Sequence, residues 1–207
     1  GYMKAKKIVA ELLEGYPIID ALSDYEFYSS GTVTRPVPAT DHIEPFIENK
    51  VPDLWAYYCC VQCKEVSNRF LSMPSYRNRI IGTQLYKYDI VGFLHWGYNY
   101  YNNQFSYAKL NPFMSTDGEY FAPSGDTFSV YPGPDKKPWE SYRLLVFYDA
   151  LQDIRAFKLC EELYGKDYVM DLIEKDIEPI TFKKYPHSAD YLLDLREKVN
   201  KAIKEKL

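Results

Sequence analysis

The chain has 207 residues, 46% hydrophobic and 26% charged, with a formal net charge of −4; this is enough for one large globular domain with a sizeable core. Acidic and basic residues are mixed along it, and no Lys/Arg run recurs with interleaved aromatics, so nucleic acid is not an expected partner. Its longest apolar runs, such as residues 90–94, are far too short to span a bilayer, and no signal-peptide pattern opens the chain.

Residues 3–14 place Ile8, Val9, Leu12 and Leu13 at helical spacing, and Gly15 is a natural stop. A short apolar strand is expected over 16–22, ending near Asp20. Residues 32–39 are β-branched but hold Pro36 and Pro38, so only a short or irregular strand fits. Asp41, with Glu44 three residues on, reads as the N-cap of a helix through about Asn49. The next strand is expected over 53–60, DLWAYYCC. After a long loop, Ser75 reads as the cap of a helix over 76–88, which feeds a strand over 90–96. Strand followed by helix, repeated, argues for parallel βα units. About four such units can be counted, where a complete (β/α)8 barrel has eight strands and about 250 residues.

Beyond Tyr101 the pattern changes. Residues 111–126 are rich in Pro, Gly, Ser and Asp and read as a long loop, and 127–131 as a strand in a local hairpin. Residues 139–164 have strong helical periodicity, and 167–175 and 188–206 add two more helices. Three divisions follow: residues 1–105 as βα units, 106–165 as a hairpin insertion with a long helix, and 166–207 as terminal helices.

Aromatic residues make up 17% of the chain, 21 of them tyrosines. Tyrosine combines a flat apolar face with a hydroxyl, which suits either a Tyr-rich core or a partly wet surface gripping polar, ring-shaped ligands. Cys60 and Cys63 form a C-x-x-C, but neither Cys59 nor Cys160 completes a second pair. Small buried side chains are therefore expected rather than a metal or redox site. His42 and His187 lie in surface-like segments, and no His/Asp/Glu cluster has metal spacing. Neither metal nor cofactor is expected.

Five segments in order carry a resemblance: W-A-Y-Y-C (residues 55–59), N-R-F-L (68–71), G-F-L-H-W-G-Y-N (92–99), G-D-T-F-S-V-Y-P-G (125–133) and S-Y-R (141–143). Over about residues 17–163 the chain resembles the domain-of-unknown-function family 4091, grouped with glycoside hydrolase family 123. The resemblance implies a (β/α)8 barrel that hydrolyses glycosides, best known on β-N-acetylgalactosaminides. It also implies a substrate-assisted retaining mechanism, in which the sugar's own acetamido oxygen attacks the anomeric carbon. An Asp orients that acetamide and a neighbouring Glu is the acid/base, a departure from the usual two-carboxylate scheme.

That Asp-Glu pair ends a central strand upstream of the segment matching residues 3–15. Here no adjacent Asp-Glu stands at a strand end; acidic neighbours such as Glu11 and Glu14, Glu161-Glu162 and those within 171–178 fall on expected helices. The expected fold class is thus α/β, the C-terminal half of a (β/α)8 barrel with a hairpin and C-terminal helices. The expected function is a glycosidase part lacking its catalytic pair. A non-catalytic carbohydrate-binding or assembly module is the alternative.

Barrel enzymes build their sites at the carboxyl ends of the strands. The resemblance places Trp96 as the floor of a sugar pocket, Asn99 and Tyr57 as hydrogen-bonding partners, and Trp55 on the same strand face as Tyr57. Asp20 is the best-placed carboxylate, with loop capping as its alternative role. Core packing is the alternative for the two tryptophans. His95 has the wrong parity to join Trp96 and is expected against the helices. Asp126 and Arg143 are expected to form a structural ion pair. Carbohydrate is the expected partner. The open edges of half a barrel are expected to be covered by the terminal helices or by self-association.

Overall fold

The computed structural model describes residues 1–10, 12–16 and 18–207. Expectations resting on Glu11 and Pro17 lie outside the described residues. The elements in order are α1 (Tyr2–Ala10), α2 (Tyr25–Ser29), α3 (Glu44–Glu48), β1 (Trp55–Tyr58), α4 (Ser75–Arg79), α5 (Ile81–Lys87), β2 (Gly92–His95), β3 (Val130–Pro132), β4 (Pro138–Glu140), α6 (Tyr142–Tyr164), α7 (Lys166–Glu174) and α8 (Ala189–Lys206). The fold is mixed α/β with two small sheets.

Strands β1 and β2 pair in parallel, with Tyr57 opposite Leu94 and Tyr58 opposite His95. Single parallel bridges extend the array by way of Ala39 to Tyr57 and of Asp20 to Pro36. The parallel segments therefore stand side by side in chain order. The stretch holding Pro36 and Pro38 contributes single bridges rather than a full strand because proline donates no ladder hydrogen bond. Beyond them, β3 and β4 form the antiparallel hairpin.

One side of the β1–β2 sheet is packed and the other is not. Ala56 and Tyr58 are fully buried, whereas Trp55 and Tyr57, which alternate with them, are only half-buried. The packed side meets Ile81 and Leu85 of α5 and Ala150 of α6. Gly82 lets these two helices touch, since a Cβ there would stand 2.3 Å from the Ala150 carbonyl oxygen. A second core cluster, including Phe157, Val169, Ile173, Leu195 and Val199, joins α6, α7 and α8. Asp153 ties three helices, its carboxylate accepting from Arg79 at 2.7 and 2.9 Å and from Arg196 at 2.6 Å.

The expected helix over 76–88 is interrupted at Ile80, so that α4 and α5 follow one another directly. The residue before α4 is Pro74, and Ser75 begins the helix without capping it. The expected start of the long helix at Trp139 is also displaced. Trp139 belongs to β4, and the Ser141 hydroxyl caps α6 by accepting from the Leu144 amide. Helix α1 buries no residue, and Ile8 is exposed. Among the described residues no helix is long and apolar enough to cross a membrane.

Candidate functional site

Parallel segments present their carboxyl ends on one side, so Asp41, the residues after Tyr58 and those after His95 open towards a common rim, while Asp20, bridged to Pro36, is in register with the start of β1. A chain of buried polar groups holds that rim in place. Gln62, 4% exposed, accepts at Oε1 from the Cys59 amide (2.9 Å) and donates through Nε2 to Asp41 Oδ1 (2.9 Å). Asn68 donates to the carbonyls of Cys59 (3.0 Å) and Gln62 (2.8 Å), and its own Oδ1 accepts the Arg69 amide (2.8 Å).

Arg69 is 1% exposed and carries the frame across to β2. Its Nη1 meets Asp126 Oδ1 at 3.2 Å, and its Nη2 donates to the carbonyls of Trp96 and Asp126. The guanidinium also lies 5.1 Å from the centre of the Tyr58 ring. Gly97, at φ +63°, is required where β2 leaves the sheet: a Cβ would stand 2.4 Å from the Asp126 carbonyl oxygen. The sequence motifs N-R-F-L and G-D-T-F-S thus meet beneath the end of β2.

This corrects the expected partner of Asp126. Its ion pair is with Arg69, not Arg143. Arg143 instead donates to the carbonyls of Gly125 (2.6 Å), Phe128 (2.8 Å) and Arg69 (3.2 Å). Burial pushes the Asp126 carboxyl up, while the guanidiniums of Arg69 and Arg143 pull it back.

The expected site residues divide by position. Trp96 follows β2 with its indole edge-on to Tyr100 at 5.8 Å and tilted against Phe121 at 6.2 Å. Tyr57 sits one strand away; burial raises its phenol, the Ser23 hydroxyl opposes this, and Cys59, Asp41 and Cys60 add to it. Asn99 is exposed, and its backbone bridges Phe128. Asp20 does not cap its following loop: its Oδ2 accepts from the Tyr2 hydroxyl at 2.5 Å, which helps raise that phenol to about 12 after burial. Trp55 lies at the opposite end of its strand, its indole laid across Gly92, where a Cβ would clash at 2.1 Å. Trp55 therefore packs on the same face as Tyr57 but away from the rim.

His95 contacts the helix side as its parity predicts, with its ring 5.2 Å from Phe147 of α6. Burial lowers its pKa to about 4, with Arg69 and Arg143 adding to the effect. The four cysteines are free; Cys160 is buried, and burial pushes the Cys60 thiol up to about 11. Among the described residues no three His, Cys, Asp or Glu side chains group as metal ligands.

Asp41 was expected as a helix cap. It caps nothing: α3 begins after Ile43, without a side-chain cap. Instead Asp41 Oδ1 accepts from His42 Nδ1 at 2.7 Å and from Gln62. Sequence reasoning missed Asp41, His42 and Gln62 as members of the rim and Tyr2 as the partner of Asp20. The signal available was that Asp41 directly follows the proline-bearing segment that pairs with β1.

Comparison with protein families returns the glycoside hydrolase 123 catalytic domain over residues 1–160. The chain belongs to the glycoside hydrolase 123 family. No curated protein matches it. The matched region spans the parallel array, the buried Arg69–Asp126 frame and most of α6.

Proposed function

We propose that the chain is the C-terminal half of a (β/α)8 glycosidase barrel and supplies one wall of an N-acetylhexosaminide site. In this reading residues 1–105 are the half barrel, 106–165 its hairpin insertion and last helix, and 166–207 the terminal helices. The carrying observation is the order of the parallel segments: neighbours in sequence are neighbours in space. The unpacked side of the sheet, which in a closed barrel would face inward, supports the reading. So does a cavity of about 740 Å³ beside Gly92 and Phe93, floored by Leu85, Leu151 and Ile154, where a next βα unit would pack.

Trp96 would stack under the pyranose ring, with Tyr57 and Asn99 bonding its polar edges and Asp20 held ready by Tyr2. The family's substrate-assisted chemistry on β-N-acetylgalactosaminides would need an adjacent Asp-Glu at a strand end, which the sequence does not carry. Binding walls without an acid/base supply no proton transfer. The chain alone should therefore release no aryl alcohol from an aryl β-N-acetylgalactosaminide. Purified activity that disappears in Asp20→Asn would overturn this.

A carbohydrate-binding or assembly module is the second reading, favoured by the unburied α1 and the free edge of β2. In it the same face binds sugar, or the edge meets another copy, without any turnover in the parent protein.

A further inference from the structure

At the rim stands Asp41, a carboxylate whose two oxygens are placed differently. Asp41 stands directly beyond the segment bridged to β1, where Thr40 donates its amide to the Tyr57 carbonyl at 2.9 Å. Both of its side-chain donors, His42 Nδ1 and Gln62 Nε2, converge on Oδ1. Among the described residues no donor reaches Oδ2. A carboxylate offers about four acceptor positions, so half of this one's capacity is left open.

Its orientation is nonetheless strongly determined. Gln62 is buried, and its other end is committed to the Cys59 amide at the end of β1. The Gln62 backbone is held in turn by Asn68, the residue before Arg69. Asp41 is thereby locked to the frame that fixes Trp96. A shallow, open depression lies beside it, lined by Ser23, Tyr25, His42, Glu44 and Lys183. The Asp41 side chain is 23% exposed and that of His42 60%. Tyr57 is near enough for the Asp41 charge to add to the upward shift of its phenol, which keeps that hydroxyl a donor.

We propose that Asp41 is a sugar-reading residue of this site: Oδ2 accepts a hydrogen bond from a ring hydroxyl, and Gln62 is the positioning residue that aims it. This rests on the reading of the strand ends as a sugar site. A carboxylate fixed at one oxygen and open at the other discriminates between sugars, because a deoxy analogue leaves it desolvated and unpaired.

The test titrates the full chain with methyl β-N-acetylgalactosaminide and follows the Trp96 indole and Gln62 side-chain amide resonances by NMR. Both should shift together. Asp41→Asn should weaken binding about tenfold or more while leaving the thermal midpoint unchanged. The set of monodeoxy analogues should contain one that binds the unmodified chain as weakly as the parent sugar binds Asp41→Asn, with no further loss on that variant. A shifting Trp96 with a silent Gln62 amide, or unchanged affinity in Asp41→Asn, overturns the assignment of Asp41 and leaves the sugar site standing. No shift at either residue overturns both.

Discussion

The two sides of the β1–β2 sheet are built from adjacent residues and face opposite demands. Ala56, Tyr58, Phe93 and His95 meet the helices, where Tyr58 packs edge-on to Phe93 at 4.8 Å and His95 against Phe147. On β1 the alternating Trp55 and Tyr57 stay half-buried between buried Ala56 and Tyr58, while on β2 Phe93, Leu94 and His95 are all half-buried. The packed side satisfies the hydrophobic effect within this chain. The other side leaves large amphipathic side chains half-buried, where they gain less from the fold. The contrast continues at the rim: the Arg69 and Asp126 side chains are sealed, whereas Asp41 and His42 meet solvent.

The sharpest way to break this comparison is at Arg69. Arg69→Ala would strand the buried Asp126 carboxylate and release the Trp96 carbonyl, at a cost of about 3–5 kcal/mol in chemical unfolding. A loss no larger than that of a surface substitution would mean the frame is not what holds the strand ends.

His95 gives a pH-dependent version. Its folded-state pKa of about 4 lies below the ordinary 6.5, so protonation favours the unfolded chain. Its contribution is intact above about pH 6.5, declines as pH falls towards 4, and the loss amounts to about 3 kcal/mol below both values. His95→Phe should flatten the stability–pH curve in that window relative to the unmodified chain. Parallel curves would place His95 in a wetter environment than the packed side provides.

The smallest effect is expected across the sheet. Tyr57→Phe should change unfolding stability by no more than about 1 kcal/mol, since its hydroxyl faces the half-buried side. A loss comparable with Arg69→Ala would erase the distinction between the two sides.

Much of the fold was legible in the chain. Periodicity located α6, α7 and α8 to within a few residues, and the two-residue spacing of Trp55 and Tyr57 put them on one face of β1. Boundaries failed where local signals competed. The helical pattern through Ile80 conceals a break, and Trp139 reads as helical until the hairpin claims it. Of the expected site residues, Trp96 and Tyr57 stand near strand ends, whereas Trp55, assigned by resemblance and by its shared face with Tyr57, stands at the start of β1. Parity states which face a side chain takes but not its height along the strand.

The sequence by itself determined the family, the shared face of Trp55 and Tyr57 and the helical periodicities, because these depend on residues close together along the chain. Tertiary structure alone decided the pairings. Arg69 and Asp126 are distant in sequence, and which arginine meets that carboxylate is set by how the loop before β3 folds back under β2. Asp41 illustrates the same point: its spacing to Glu44 satisfied a local capping rule, yet Gln62, arriving from beyond β1, took its oxygen instead. Long-range hydrogen bonds to buried groups outweigh local propensities because an unpaired buried donor or acceptor costs more than a lost cap.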